Sequence, residues 1–326
     1  MSDKILVSGG AGYIGAHAVL ALINQGDEPV ILDNFSTGHR YATQDCEVIE
    51  VDLRDKDGVE KALKHRKFDG IMHFGAKSIV SHSTLQPLNY FENNVSGSIN
   101  LINAAINRQI GHFVYSSTAA VYGEPRAIPI KEDHPTFPIN PYGQSKRMVE
   151  LILEAAYEAH GLRSISFRYF NAAGAALEAQ IGEHHEPETH LIPNILKACI
   201  KENGSGLKIF GNDFETNDGT CIRDYIHVND IAAAHLKGLG YLKKESEAKQ
   251  INLGTKNGAS VLEVINACEM ITGRKVEYEF ASRRIGDPAI LVSDNILARE
   301  LLDWTPAESL EKCIEDAWRW HRSSGF

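Results

Sequence analysis

The chain has little that would take it to a membrane, a nucleic acid or an oxidising compartment. No stretch of its 326 residues approaches the ~18 consecutive apolar residues of a membrane-spanning helix. Its 33 Lys and Arg are outnumbered by 43 Asp and Glu, for a formal net charge of −10. That balance argues against non-specific binding to polyanions, and an anionic ligand would have to be met by individually placed arginines. The five cysteines (Cys46, Cys199, Cys221, Cys268, Cys313) are odd in number and scattered, and none falls in a C-x-x-C pair. A disulfide framework is therefore not expected. Internal repeats and low-complexity tracts are also missing, as is a basic-then-apolar leader ahead of the first apolar run. These absences point to a cytoplasmic protein with no nucleic-acid and no membrane partner. With 43% hydrophobic residues the chain can build one large or two moderate cores.

What is present begins at once. The apolar run Ile5-Leu6-Val7 feeds the loop Gly9-Gly10-Ala11-Gly12-Tyr13-Ile14-Gly15, and an apolar helical stretch follows. A strand, a glycine turn and a helix N-terminus in that order form a cradle for a pyrophosphate, because small residues let the backbone approach and the free N–H groups face the charge. A second run, Pro29 to Leu32, ends at Asp33, close to the ~20-residue offset of a carboxylate that binds an adenosine ribose. The combination predicts dinucleotide binding. Asp33 would repel the 2′-phosphate of NADP, so the expected cofactor is NAD even with Arg40 near the second strand.

The first half then alternates strand and helix patterns, as a parallel sheet with crossover helices requires. Val48 to Val51 reads as a third strand ending at Asp52-Leu53, Gly70 to Phe74 as a fourth ending at Gly75-Ala76-Lys77, and His112 to Tyr115 as a fifth running into Ser116-Ser117-Thr118. Apolar spacing predicts helix from about Gln86 to Arg108 and from Tyr142 to His160, with a sixth strand at Arg163 to Arg168 before Tyr169-Phe170-Asn171. Beyond that the alternation breaks down. Residues 172–190 read as polar loop, and helices are expected over Leu191–Glu202, Asp230–Leu242, Ser260–Ile271 and Leu310–Trp320. The expected fold class is α/β: a doubly wound parallel sheet, Rossmann-like, over residues 1–171, with a smaller mixed α/β substrate domain over 172–326. A segment around 224–256 is a candidate to return to the first domain.

The reactive groups lie at the ends of strands five and six. Tyr142-x-x-x-Lys146 puts a phenol and an ammonium on one helix face. A tyrosine that titrates near 10 must be lowered to act as a base at neutral pH, and a neighbouring cation lowers it. Thr118, at the end of the preceding strand, is placed to hydrogen-bond the same reacting hydroxyl.

These residues, with Asp33-Asn34, Asn93-Asn94-Val95, Ser116 to Gly123, Arg168 to Asn171, Ile209 to Asp213, Arg223 to His227 and Arg283-Arg284-x-Gly286-Asp287, resemble the extended short-chain dehydrogenase/reductase family over essentially the whole chain. The likeness is greatest to its epimerase branch. It implies NAD held tightly and regenerated at each turnover, and a UDP-sugar in the cleft between the domains. The implied reaction interconverts UDP-glucose and UDP-galactose through a transient 4-keto sugar. Other UDP-sugars, such as UDP-N-acetylglucosamine or UDP-xylose and UDP-arabinose, stay open, because Leu291 is of intermediate size where the branch limits the group on sugar C2. By the same resemblance Tyr142 is the base, Lys146 its electrostatic partner and ribose ligand, and Thr118 the hydroxyl donor. The cofactor shell would be Gly9, Gly12, Tyr13, Ile14, Gly15, Asp33, Asn34, Asp52, Leu53, Phe74, Lys77, Asn93 and Phe170, with Tyr142 and Lys146. The substrate side would be Asn171, Leu191, Phe210, Arg223, Arg284 and Asp287, with Thr118 and Tyr142. A homodimer is implied, paired through the helix before strand five and the Tyr142 helix.

Rival reactions are disfavoured by residue type. Dehydratases and decarboxylating relatives place acids beside the threonine, where this chain has Ala119-Ala120, and alanines move no protons. Glu183 to His190 carries metal-ligand residue types, but H-E-x-x-H is not satisfied and Pro187 interrupts any helix. No metal is expected there; the stretch reads as a mobile acidic loop near the substrate mouth.

Overall fold

The apolar runs become the strands of one parallel sheet because both of its faces are covered. The computed structural model describes residues 2–200, 206–284 and 286–323. The strands β1 (Lys4–Ser8), β2 (Glu28–Asp33), β3 (Glu47–Glu50), β4 (Gly70–His73), β5 (His112–Thr118) and β6 (Arg163–Tyr169) lie in the order β3-β2-β1-β4-β5-β6. The strand Ala248–Leu253 completes the sheet beside β6, with Ile251 opposite Phe167. That seventh strand comes from late in the chain.

Successive side chains of a strand face opposite ways. Ile5 and Val7 join Ile31, Met72, Val114, Phe167 and Leu253 in a core against the helices Tyr13–Gln25 (α1) and Val228–Leu242. Leu6 joins Val30, Leu32, Ile71, Phe113 and Tyr115 in a second core on the other face, closed by Val59, Leu101, Val149 and Leu153. Strands buried on both faces read as continuous apolar runs, as these do.

A third core lies among the helices Leu191–Ile200, Val261–Thr272 and Leu310–Ser323, around Ile195, Leu196, Val264, Cys268 and Ile314. Trp304, Trp318 and Trp320 are all buried, Trp304 against the first core and Trp318 in the third. The five cysteines are free. Among the described residues no helix is long and apolar enough to cross a membrane.

Local differences from the sequence reading matter. The helix expected over 86–108 contains a π-helical turn, Phe91–Ser96, between Pro87–Tyr90 and Gly97–Asn107. That turn carries Asn93 and Asn94, and π-turns inside helices recur where side chains must be re-aimed for function. The polar segment 172–190 holds a small antiparallel pair, Ala175–Ala176 with Ile181–Gly182. In its later part, read as a mobile acidic loop, Glu183 is buried and the Glu188 side chain is only 3% exposed. The helix expected to reach Glu202 is seen to Ile200; Lys201 and Glu202 lie outside the described residues.

Candidate active site

The strand order places β1 and β4 side by side at the point where the chain reverses direction across the sheet, and ligands of open α/β sheets sit in the crevice beyond the strand ends there. The backbone in that crevice is unusually close. Gly9 has φ +73°, and a Cβ on it would lie 2.5 Å from the Gly75 nitrogen after β4. A Cβ on Gly15 would lie 2.1 Å from the Gly9 carbonyl oxygen. Only glycine fits either position. Gly12 caps α1 with no side-chain hydrogen bond, so the first N–H groups of Tyr13, Ile14 and Gly15 are free for an anion.

Asp33 ties this turn to the end of β2. One carboxylate oxygen accepts from the Ala11 N–H at 3.0 Å and the other from the Phe35 N–H at 2.8 Å. Burial pushes its pKa up, against these backbone hydrogen bonds. Each oxygen keeps a lone-pair direction for a ribose hydroxyl. Asn34 donates to Asp52 at 2.9 Å, and Arg54, at 2.7 Å, holds the Asp52 carboxyl well below the usual carboxylate range. Arg40 pairs with Glu50 at 2.6 Å and covers the Phe35 ring, so it is already engaged at the position where a 2′-phosphate would need it.

On the other wall, Leu53 lies against Gly75 and Gly97, and the ring of Phe74 rests 4.7 Å from that of His235. Lys77 is fixed through its backbone: its N–H donates to Asn94 Oδ1 at 2.8 Å and its carbonyl accepts from Asn94 Nδ2 at 3.0 Å. Asn93 also donates to Asn94 Oδ1, at 3.0 Å, and Asn94 Nδ2 reaches Ser145 Oγ at 3.0 Å. Ser145 in turn donates to the Tyr142 carbonyl at 2.7 Å. Asn94 was passed over for a specific role in the sequence, yet it joins the β4 loop, the π-turn and the Tyr142 helix. Its helical surroundings read as core packing, and only the fold reveals the three partners.

The helix Pro141–His160 starts with Asn140, which caps it by accepting from Gly143 N–H at 2.8 Å, and with proline at N1. This start aims Tyr142 and Lys146 at the end of β5. Lys146 is buried, and its ammonium donates to the Ser116 carbonyl at 2.6 Å. The ammonium lies 6.0 Å from the centre of the Tyr142 ring. Burial pulls Lys146 down to about 7, opposed by Glu150.

Tyr142 does not show the lowered pKa expected from sequence: burial pushes it up to about 12, and the hydrogen bond with Thr118 offsets only part of that. Desolvation outweighs a cation that has been turned toward a backbone carbonyl. Thr118 also caps the short turn after β5, accepting from Ala120 N–H at 3.2 Å. Ser116 accepts a hydrogen bond from Tyr169, a residue that the sequence reading had left without a role.

The residues expected on the substrate side lie on several elements. Phe170 is buried with Ala119, Val121, Tyr122 and Ile130, and Leu291 packs against that group. Asn171 is exposed and opposes Tyr225 where the strands Asn171–Ala173 and Ile222–His227 pair. Leu191 begins its helix half-buried. Arg284 is exposed and its guanidinium lies 4.0 Å over the Phe210 ring. Arg223 and Asp287 pair with each other, so two residues expected on the substrate are first each other's partners. Such a pair holds the arginine fork in place at the cleft.

The glycine turn, the Asp33 carboxylate and the Tyr142, Lys146 and Thr118 side chains are thus the groups whose family comparison with known proteins can identify. Residues 5–254 match the model of the NAD dependent epimerase/dehydratase family. A UDP-glucose 4-epimerase of Halalkalibacterium halodurans is 44% identical over 98% of this chain and 95% of its own length. The crystal structure of a UDP-glucose-4-epimerase from Stenotrophomonas maltophila, with bound NAD and formylated UDP-arabinopyranose, superposes with a TM-score of 0.94 at 36% identity over 99% of both chains. That from Bifidobacterium longum, in complex with NAD+ and UDP, gives 0.94 at 31% identity, again over 99% of both chains. With the cradle, the strand order and the matched sequence in accord, the chain belongs to the NAD dependent epimerase/dehydratase family.

Proposed function

We propose that the chain is an NAD-dependent UDP-glucose 4-epimerase, interconverting UDP-glucose and UDP-galactose through a transient 4-keto sugar. The observation that carries this reading is the convergence of Tyr142, Lys146 and Thr118 at the end of β5, beside a glycine cradle that fits a dinucleotide. The turn of Gly9, Gly12 and Gly15 and the N-terminus of α1 would hold the pyrophosphate, and Asp33 the adenosine ribose. Asn34, Asp52, Leu53, Phe74, Lys77, Asn93 and Phe170 would line the rest. Bound there, NAD supplies the hydride acceptor and donor for sugar C4, and its oxidised ring adds positive charge beside the phenol.

The chain's own residues then handle the proton. Tyr142 takes the proton of the sugar 4-hydroxyl and returns it to the same oxygen once the keto sugar presents its other face. Thr118 directs that hydroxyl toward the phenol. Lys146, anchored on Ser116, holds a positive charge that favours the phenolate. Arg223 and Arg284 hold the diphosphate, with Phe210, Leu191 and Asn171 around the nucleotide and sugar. Residues 1–171, with 224–256, would serve the cofactor and 172–326 the nucleotide sugar.

A panel of substrates tests the whole reading. Purified protein given UDP-glucose, UDP-N-acetylglucosamine or UDP-xylose, with no added NAD, is expected to turn over UDP-glucose fastest and to release NAD on denaturation. No epimerised product and no released NAD would sink it. Leu291, packed beside Phe170, sets the room at sugar C2, so the ratio of the first two substrates measures that wall.

A homodimer and a cytoplasmic location belong to the same proposal. Leu88 is 79% exposed, and Ile99, Met148 and Leu151 are also exposed, on the two helical segments through which the dimer would pair. Covering such a face is the usual reason for its existence. Sedimentation should give about twice the chain mass for the wild type and a monomer for Leu151→Glu; a monomeric wild type would remove the dimer.

A further inference from the structure

The stretch Glu183 to His190 fits no helical metal motif, yet the fold gathers its chemistry. The Glu183 and Glu188 side chains are 5% and 3% exposed, and His185 and His190 close over them. One atom from each of the four residues lies within 4.8 Å of the other three. His190 Nδ1 is 2.8 Å from Glu183 Oε1 and 3.1 Å from Glu188 Oε1. His185 Nδ1 is 3.4 Å from Glu183 Oε1 and 3.8 Å from Glu188 Oε2. Both imidazoles thus turn the same ring nitrogen inward, toward two carboxylates.

Hydrogen bonds account for only part of this arrangement: Glu188 Oε1 accepts from the Thr189 and His190 N–H groups at 2.8 and 2.9 Å and meets His190 Nδ1 at 3.1 Å. His185 Nδ1 makes no hydrogen bond, and buried Glu188 Oε2 accepts none, with His185 Nδ1 3.8 Å away. An unpartnered carboxylate oxygen on a side chain that is 97% covered is costly unless something else meets it. The spacing suits a metal ion. Bonds of about 2.0–2.1 Å from a tetrahedral zinc ion to nitrogen and oxygen put its ligand atoms about 3.3 Å apart. The four nitrogen–oxygen separations run from 2.8 to 3.8 Å about that value, those to Glu188 using both of its carboxylate oxygens, and four ligand atoms, one from each residue, lie within 4.8 Å of one another.

From this juxtaposition we propose that Glu183, His185, Glu188 and His190 form a binding site for a divalent transition-metal ion of the zinc class. Two carboxylates and two neutral imidazoles balance its charge, and mixed nitrogen and oxygen donors suit Zn2+ over Mg2+ or Ca2+. This departs from the expectation of no metal. The sequence pattern searched for a helix, whereas these ligands come from an irregular segment.

The position gives the ion a structural task. His190 directly precedes Leu191 at the start of its helix. The Glu183 carbonyl accepts from the Trp320 indole at 3.2 Å, and His185 stands edge-on to Tyr13 at 6.4 Å, at the start of α1. An ion there clamps the segment between the glycine turn and the rim helix that begins at Leu191.

The test uses the complete chain and reads metal, not turnover. Protein dialysed against a chelator is titrated with Co2+, a spectroscopic stand-in for Zn2+. The expected result is saturation at one ion per chain, with the visible absorption of a tetrahedral site. At about 100 times the dissociation constant the melting temperature should rise by about 4 °C. Glu188→Gln and His185→Gln should each weaken binding by at least about 100-fold, more than loss of an outer-shell partner costs. No saturable uptake by the wild type, or unchanged affinity in both variants, overturns the site. Because the readout is independent of epimerisation, its failure would leave the proposed activity standing.

Discussion

Replacing Tyr142 by phenylalanine should lower turnover of UDP-glucose by about 10² to 10⁴-fold, the range a positioned acid–base group contributes. NAD content and the Michaelis constant should change little, because the missing hydroxyl acts on the reacting proton. The size of the effect follows from how far the phenol must be moved. With Tyr142 pushed up to about 12 by burial, bringing it near 7 takes about 7 kcal/mol. Lys146, 6.0 Å from the ring, supplies about 3 kcal/mol at an effective dielectric near 20. The hydrogen bond with Thr118 is already contained in that starting value. The remainder falls to positive charge that arrives with the oxidised cofactor, so the base is strong only in the loaded enzyme. Wild-type turnover in Tyr142→Phe would remove the tyrosine from the mechanism.

The largest stability loss is expected at Arg168→Met, by about 3–5 kcal/mol. Glu150 is fully buried on the helix that carries Tyr142, and Arg168 grips it with two hydrogen bonds, at 2.9 and 2.8 Å. The same guanidinium reaches the Tyr122 hydroxyl at 3.1 Å. Without it the carboxylate keeps only Arg147, at 3.0 Å near the surface, and Ser117, whose hydroxyl donates at 2.5 Å. Unfolding in urea should show a fall that is a large part of a typical 5–15 kcal/mol total. Adding Glu150→Leu should recover much of it, since an apolar pair leaves no buried charge unmet. A loss below about 1 kcal/mol in the single variant would mean that Arg147 alone suffices. Ser117 stands between Ser116 and Thr118 on β5, so the ion pair also fixes the strand end where the reacting groups meet.

Glu150 does not stand out in the sequence as anything but a helix residue, and Asn94, though part of the Asn93-Asn94-Val95 motif, carries no role there. Glu150 lies four positions after Lys146, and a glutamate there is ordinarily solvated. Its burial depends on Arg168, which arrives from a strand 18 residues on. The Arg223–Asp287 pair likewise joins positions 64 apart. Glu183, His185, Glu188 and His190 do not form H-E-x-x-H and Pro187 interrupts them, so their convergence depends on an irregular backbone between a short strand pair and a helix start.

What the sequence determined by itself was local: the Gly9 to Gly15 turn, Asp33 at the end of β2, and Tyr142 and Lys146 one helical turn apart. Their geometry follows from backbone sterics and a 3.6-residue period, which act over a few residues and need no partners. The tertiary structure alone decided which charges are buried and what meets them, and which late segment closes the sheet beside β6. It also set the direction of the Tyr142 pKa. Those outcomes depend on desolvation, and burial is a property of the packed chain that no short stretch of it carries.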